Sequence, residues 1–182
     1  MAAPNPTETM TGLLETPRLT LREFVSDDAD FILEILNSPG WLTYIGDRNV
    51  KNAEAAKSYL EQGPIKSYRE HGFGLLLACR KSDGKPVGMC GLLRRRDLPH
   101  PDLGFALLPD FMGVGYGLEM AQAVLSSCRG RAGLGTILAI VMPGNQRSIR
   151  LLEKTGFICL SPFSFPGSAE SLLLYECRIP GV

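Results

Sequence analysis

The sequence lacks the features that mark a membrane protein, a nucleic-acid-binding protein or a zinc protein. No apolar run approaches the roughly 18 residues of a membrane span, and the first 12 residues contain no basic stretch followed by an apolar one. The 19 Lys and Arg residues balance the 19 Asp and Glu residues, which argues against binding to bulk nucleic acid. The two histidines are far apart and no Cys-x-x-Cys pair exists, so we expect no metal site.

The cysteines also lack a disulfide pattern. They are odd in number, widely spaced and set in apolar stretches, at Cys79, Cys90, Cys128, Cys159 and Cys177. This arrangement predicts reduced thiols in the core and therefore a cytoplasmic protein.

The length of 182 residues predicts one domain, since two full domains would usually need a longer chain. Residues 1–12 are small, polar and interrupted by proline, which predicts a flexible tail. We therefore expect a single domain over residues 13–182, with enough apolar side chains, 45% of the total, to form a substantial core.

The first half of the chain predicts a strand, two helices and an antiparallel meander. The strand runs from Arg18 to Phe24. The first helix begins at Ser26–Asp28 and ends at Pro39–Gly40, and the second runs from Asn52 to Gly63–Pro64. The meander consists of three successive strands, which we expect at 73–80, 86–95 and 102–108.

The second half alternates helices and strands. An amphipathic helix follows a glycine cluster and ends near Gly130, and a buried strand follows at 136–142. A helix at 145–155 and strands at 157–160 and 172–178 complete the chain. The whole order predicts an α/β fold.

The glycine cluster at 112–117 joins a predicted strand to a predicted helix. Glycines let successive backbone N–H groups point at an anion over a helix N-terminus, which is typical of phosphate binding. The loop contains no Lys or Arg, so main-chain amides would hold a diphosphate by shape. From the loop alone, a phosphate cradle and a plain tight connection remain equally open.

Two common phosphate-binding domains do not fit. A dinucleotide-binding domain, and hence an NAD-dependent oxidoreductase, requires an acidic residue about 20 residues after the loop. Between Met120 and Leu152 the chain has neither Asp nor Glu. The loop also lacks the Gly-Lys-Ser or Gly-Lys-Thr of nucleotide triphosphatases.

Three segments together resemble the GNAT-type N-acetyltransferases. DLGFALLPDFMGVGYGLEMA is similar to their acetyl-CoA-binding strand, loop and helix, PGNQRSIRLLEKTGF to a later segment, and ETPRLTLREF to their opening strand. The opening strand and Ser148-Ile149-Arg150 are also similar to the branch of ribosomal-protein N-terminal acetyltransferases, the RimJ/RimL-like branch.

The resemblance implies a mixed, twisted sheet with helices on both faces, splayed between its fourth and fifth predicted strands to receive acetyl-CoA as cosubstrate. Main-chain groups of Ala106 and Leu107 would pair with the pantetheine arm, and Asn145 and Ser148 would approach the same arm. The remaining expected contacts are the diphosphate-binding loop residues Met112, Gly113, Val114, Gly115, Tyr116 and Gly117.

The resemblance also implies direct attack of an amine on the thioester. An N–H near Leu107 or Leu108 would stabilise charge on the thioester oxygen. Asp102 occupies the place where the family often has an acidic residue and is the candidate general base, although a turn residue in solvent is an equally open interpretation. Leu152 stands where many members have a Tyr acid, which leaves the general acid unassigned.

Several partners and functions remain open. The acceptor would be a protein N-terminus or a small-molecule amine, and unpaired sheet edges allow a homodimer. A non-catalytic acyl-CoA sensor is the alternative to an enzyme. The run Arg94–Arg96 is typical of a solvated surface, and Trp41 of helix packing.

Overall fold

The computed structural model describes residues 12–181, and its centre is one eight-stranded sheet. In sheet order the strands are β1-β2-β3-β4-β5-β6-β8-β7. All neighbours are antiparallel except β5 and β6, which are parallel. The strands are β1 Leu14–Glu15, β2 Leu19–Glu23, β3 Leu75–Arg80, β4 Pro86–Leu93, β5 Asp102–Leu107, β6 Thr136–Val141, β7 Ile158–Phe163 and β8 Leu172–Arg178.

The described residues contain six α-helices, two more than the sequence predicts. The bounds are α1 Ala29–Leu36, α2 Pro39–Tyr44, α3 Ala53–Leu60, α4 Lys66–His71, α5 Tyr116–Ser127 and α6 Gln146–Lys154. Short 3₁₀ turns occupy Ser26–Asp28 and Pro109–Phe111.

Both extra helices arise at prolines that we interpreted as helix ends. Pro39 opens α2 because the first helical position needs no N–H donor. The predicted end of the second helix at Gly63–Pro64 is wrong. A π turn over Glu61–Ile65 accommodates Pro64, and the helix continues as α4 until Gly72 ends it with a φ of 70°.

Helices cover both faces of the sheet, as predicted. On one face α5 and α6 pack against the strands through residues such as Met120, Val124 and Leu152. On the other face α1, α2 and α3 pack through a second cluster that includes Ile32, Trp41 and Leu60. The α/β fold predicted from the sequence is thus confirmed.

The sheet opens between β5 and β6. The two strands pair at a single position, Asp102 with Leu138, and the Leu138 N–H donates to the Pro101 carbonyl at 2.9 Å. β4 pairs with β5, and β8 with β6, over six positions each. Two well-paired halves are therefore joined at one point, beyond which a gap separates their strands. This gap lies between the fourth and fifth strands of the sequence prediction.

Cys159 is exposed on β7, which lies at the sheet edge, so the prediction that all five cysteines are core thiols is wrong for this residue. The predicted flexible tail, residues 1–12, falls outside the described part of the chain except for Gly12. Within residues 12–181, no helix has the length and apolarity needed to span a membrane.

Tyr68 of α4 links β3 to Phe24, the residue after β2, and gives a test of this packing. Its hydroxyl accepts a hydrogen bond from the Phe24 N–H at 3.0 Å and donates to the Leu75 carbonyl. We expect Tyr68→Phe to lower the free energy of unfolding by about 1–3 kcal/mol, because a buried N–H loses its acceptor. Urea denaturation measures this, and Tyr44→Phe is the control because Tyr44 is exposed. Equal stabilities of the two variants would contradict the assignment.

Candidate active site

The loop between β5 and α5 presents a row of free amides. Within residues 12–181, no N–H of residues 113–118 donates a hydrogen bond to the protein. The Met112 N–H differs, since it donates to the Pro109 carbonyl at 3.2 Å. Consecutive free donors at a helix N-terminus form a site for an anion. The Met112 amide, which the sequence analysis included in the cradle, is engaged elsewhere.

Glycine is required at two positions of this loop by its backbone conformation. Gly113 has a φ of 80°, and Gly115, the residue before α5, has a φ of 92°. Other residues rarely adopt this left-handed region. Gly117 matters for packing instead, because a Cβ there would lie 2.8 Å from Leu151 of α6.

Arg18, the residue before β2, holds the loop in place. One terminal nitrogen of its guanidinium donates to the Val114 carbonyl at 2.9 Å, and Nε donates to Glu119 at 2.7 Å. The guanidinium also lies 4.6 Å from the centroid of the Tyr116 ring. Thr16 donates to Glu119 as well, at 2.6 Å. These contacts hold the Val114 carbonyl away from the row of amides.

The N-terminus of α6 lies beside the loop. The Asn145 side chain caps α6 by accepting the Ser148 N–H at 3.1 Å. An Arg147 guanidinium nitrogen lies 3.7 Å from the Met112 sulfur, which links the two segments. Asn145 and Ser148 therefore stand at the same end of the sheet as residues 113–118.

The register of β4 and β5 decides which main-chain groups face the gap. The Leu108 N–H donates to the Val87 carbonyl at 2.9 Å. Because hydrogen-bonded pairs alternate along an antiparallel ladder, the main chain of Ala106 faces Met89, while that of Leu107 faces the gap. Of the two amides that the sequence offered for the thioester oxygen, Leu108 is engaged and Leu107 remains. The same register favours Leu107 over Ala106 as a main-chain partner in the gap.

Asp102 lies where the gap begins and is buried, with 1% of its surface exposed. The interpretation that it ends a turn in solvent is therefore wrong. The Nε–H of Arg95 reaches both of its oxygens, at 3.1 and 3.0 Å. Burial raises the pKa of Asp102, and the pairing with Arg95 opposes part of that shift. The carboxyl group is thus a stronger proton acceptor than an exposed Asp.

The partner of Asp102, Arg95, was not expected from the sequence. It was treated as part of a solvated run, yet Arg94 and Arg96 are exposed while Arg95 turns back to Asp102. The signal available in the sequence was weak, because the pair is formed across a turn of six intervening residues. Trp41 is buried, as expected for helix packing.

The described residues offer neither a general acid at position 152 nor a cluster of metal-binding side chains. Leu152 is 1% exposed and packs in the core, so the position where many relatives have a Tyr acid carries no proton donor. Within residues 12–181, no group of three or more His, Cys, Asp or Glu side chains is placed to hold a metal ion.

The sequence matches the family model described as acetyltransferase (GNAT) domain over residues 18–158. This match covers most of the chain, including β2, the loop and α6. The chain belongs to the GNAT acetyltransferase family. Among curated relatives, the uncharacterised N-acetyltransferase YoaA of Bacillus subtilis (strain 168) is 27% identical over 152 residues, which cover 81% of this chain and 84% of YoaA.

Solved GNAT structures share the fold. An acetyltransferase from Agrobacterium tumefaciens str. C58 superposes with a TM-score of 0.77 at 24% identity, covering 92% of this chain and 94% of that one. The ribosomal L7/L12 alpha-N-protein acetyltransferase RimL, solved with coenzyme A, gives 0.81 at 14% identity, covering 94% and 100%. Spermidine N-acetyltransferase from Vibrio cholerae, solved with CoA and spermine, gives 0.72 at 16% identity, covering 90% and 97%.

The ion pair at the start of the gap gives a second test. Arg95→Gln leaves a buried carboxylate without its partner, so we expect the free energy of unfolding to fall by about 3 kcal/mol at pH 7. The loss shrinks as the pH falls through the raised pKa of Asp102, because a protonated carboxyl needs no counter-charge.

Urea denaturation at pH 7 and at pH 5 measures both effects. Arg178→Gln is the control, since Arg178 is paired with Glu176 but is 85% exposed. We expect that variant to lose less than about 1 kcal/mol at either pH. A pH-independent loss in Arg95→Gln would mean that Asp102 does not carry the effect.

Proposed function

We propose that this GNAT protein transfers the acetyl group of acetyl-CoA to a primary amine by direct attack. Membership of the family supports acetyl transfer as the general activity. The observation that supports acetyl-CoA as the cosubstrate is the row of free amides at residues 113–118, which lies at the N-terminus of α5 and can bind an anion. The diphosphate of CoA fits this requirement.

The gap between β5 and β6 offers space for the pantetheine arm of the cosubstrate. From the loop, the pantetheine arm would run between β5 and β6 toward Asp102 and would take main-chain groups of Leu107 that have no strand partner. Asn145 and Ser148 would approach the arm from α6. RimL, solved with CoA, shares this fold, which agrees with such a position.

Catalysis would depend on the relative position of the thioester and the amine and on two protein groups, the Leu107 N–H and the Asp102 carboxylate. The Leu107 N–H would donate to the thioester oxygen as negative charge develops there. Asp102 would accept a proton from the attacking amine, directly or through water, because an ammonium has no lone pair for attack. The CoA thiolate would leave without a side-chain acid, since thiols ionise with a pKa near 8.5.

One observation favours the alternative of a non-catalytic acyl-CoA sensor, namely the buried Leu152 at the acid position. Release of free CoA thiol over a panel of amines separates the two functions. Binding of acetyl-CoA without thiol release from any amine would favour the sensor. A cytoplasmic location and a homodimer stay predictions from the sequence.

The glycine loop provides the direct test of cosubstrate binding. We expect Gly115→Ala to weaken the affinity for CoA by about tenfold or more, because a residue with a Cβ costs about 1–2 kcal/mol at this φ and the amides shift when the backbone relaxes. A Cβ here would also lie 3.2 Å from the Arg18 guanidinium. Isothermal titration calorimetry with CoA measures the change.

Gly84→Ala is the matched control. Gly84 has a φ of 70° in the turn between β3 and β4, so the strain is similar while the loop is untouched. We expect both variants to lose stability and only Gly115→Ala to lose affinity. Equal affinities of wild type and both variants would remove the loop from the CoA site.

Asp102→Asn tests the general base. A base must be ionised, so the rate for the wild type rises with pH through the raised pKa of Asp102. In the variant we expect kcat/KM to fall by about 10²–10⁴-fold and this rise to disappear. A second rise at higher pH, due to the acceptor amine itself, remains in both proteins. An unchanged pH profile would dismiss Asp102 as the base.

A further inference from the structure

The indole of Trp41 contains a buried hydrogen-bond donor without an acceptor. Trp41 is 7% exposed, and within residues 12–181 its Nε1 is the one buried side-chain nitrogen or oxygen atom that has no hydrogen-bond partner. An indole N–H can donate but cannot accept. Unpaired buried donors are costly and rare in folded proteins. The Trp41 N–H is therefore free to donate to an acceptor group of a ligand.

Trp41 belongs to α2, which lies against the start of the glycine loop. A Cβ atom on Gly40 would lie 3.4 Å from the Cε atom of Met112. Trp41 follows Gly40 directly and packs in the same buried cluster as Leu108, the residue after β5. These positions place α2 beside the carboxyl end of β5, where the row of free amides begins and where β5 no longer pairs with β6.

The pantetheine arm is the part of the cosubstrate that would pass this end of β5. In the proposed binding mode the arm leaves the diphosphate at residues 113–118 and enters the gap along the main chain of Leu107. The arm contains amide groups, whose carbonyl oxygens accept hydrogen bonds. The indole N–H is a donor of the kind that such a carbonyl requires once it has left water.

The attachment of α2 allows the indole to reach a ligand. Nε1 is covered in the present conformation, so a shift of α2 is needed before it can donate to the arm. Within residues 12–181, no side chain of α2 makes a hydrogen bond. Leu42 and Tyr44 are exposed, at 41% and 39%. The burial of Trp41 is therefore the main attachment of α2, and few other contacts oppose its movement.

We propose that the Trp41 N–H donates a hydrogen bond to an amide carbonyl of the pantetheine arm, and that α2 moves toward the arm when acetyl-CoA binds. This inference rests on the proposed binding of acetyl-CoA and adds a residue to that site. It gives the unpaired donor a partner in the complex.

The test observes the indole itself. Trp41 is the only tryptophan of the chain, so the protein gives a single indole N–H resonance. Nitrogen–proton correlation NMR of this resonance reports its hydrogen bonding without any need for turnover. We expect CoA and acetyl-CoA to move the indole proton downfield by the same amount. ADP, which has the diphosphate but lacks the arm, should leave the resonance in place.

Two replacements of Trp41 remove the donor. Trp41→Phe keeps an aromatic ring, and benzothienylalanine, incorporated at the single tryptophan position, keeps the shape of the indole with sulfur in place of the N–H. We expect either replacement to weaken the affinity for CoA by about 2- to 10-fold, the loss of one hydrogen bond, and to leave the affinity for ADP unchanged. Calorimetry measures both affinities, and urea denaturation checks that each protein is folded.

Tyr44→Phe is the matched control on the same helix. It removes an exposed hydroxyl group from α2 and leaves the indole in place. We expect this variant to bind CoA as the wild type does and to show the same shift of the indole resonance.

The outcomes distinguish this inference from the proposed cosubstrate site. CoA that binds in calorimetry yet leaves the indole resonance in place overturns the inference, and the cosubstrate site stands. Full affinity for CoA in the benzothienylalanine protein, or an equal shift of the resonance with ADP, also overturns it. A shift with acetyl-CoA but not with CoA would assign Trp41 to the acyl carbonyl and overturn the amide contact. Absence of CoA binding to the wild type overturns both proposals.

Discussion

The separation of β5 from β6 after Asp102 is the constraint on which the site depends. Each strand has a full ladder on its outer side, with β4 or with β8, so the sheet survives the break between them. The break leaves main-chain groups such as those of Leu107 without a strand partner, which is costly unless another group satisfies them. It also allows the two following helices, α5 and α6, to begin at one end of the same gap. A ligand with both a polar arm and an anionic head is the kind of molecule that this arrangement accommodates.

The glycine loop and the gap act together because of Arg18. Free amides could otherwise donate hydrogen bonds to a nearby carbonyl group, and the Val114 carbonyl lies within the same loop. The guanidinium of Arg18 holds that carbonyl, while Glu119 and the Tyr116 ring hold Arg18. The side chain of Arg18, just before β2, thus keeps the amides of residues 113–118 available although the loop itself carries no Lys or Arg. A loop without Lys or Arg can therefore still bind an anion through its main-chain amides, because Arg18 holds the Val114 carbonyl away from them.

The local geometry of the glycine loop and of the start of α6 could be predicted from the sequence because glycine, proline and helix-start residues act locally. Gly113 and Gly115 have the backbone angles that their positions suggested, and Asn145 caps α6. The errors arose where tertiary contacts override local preference. Pro64 sits within a continuing helix, and the expected freedom of the Met112 and Leu108 amides is lost to the Pro109 and Val87 carbonyls. A ladder register or a π turn cannot be read from spacing alone.

The Asp102–Arg95 pair was out of reach of the sequence for a different reason. It forms across a turn of six intervening residues that carries no motif. The middle residue of an arginine run resembles its neighbours until the fold turns its side chain back to Asp102. The burial of Asp102 then decides the electrostatics, because a buried carboxylate requires Arg95 beside it. The pairing with Arg95 opposes part of the rise that burial causes in the pKa of Asp102, and this balance sets how readily the carboxyl group accepts a proton.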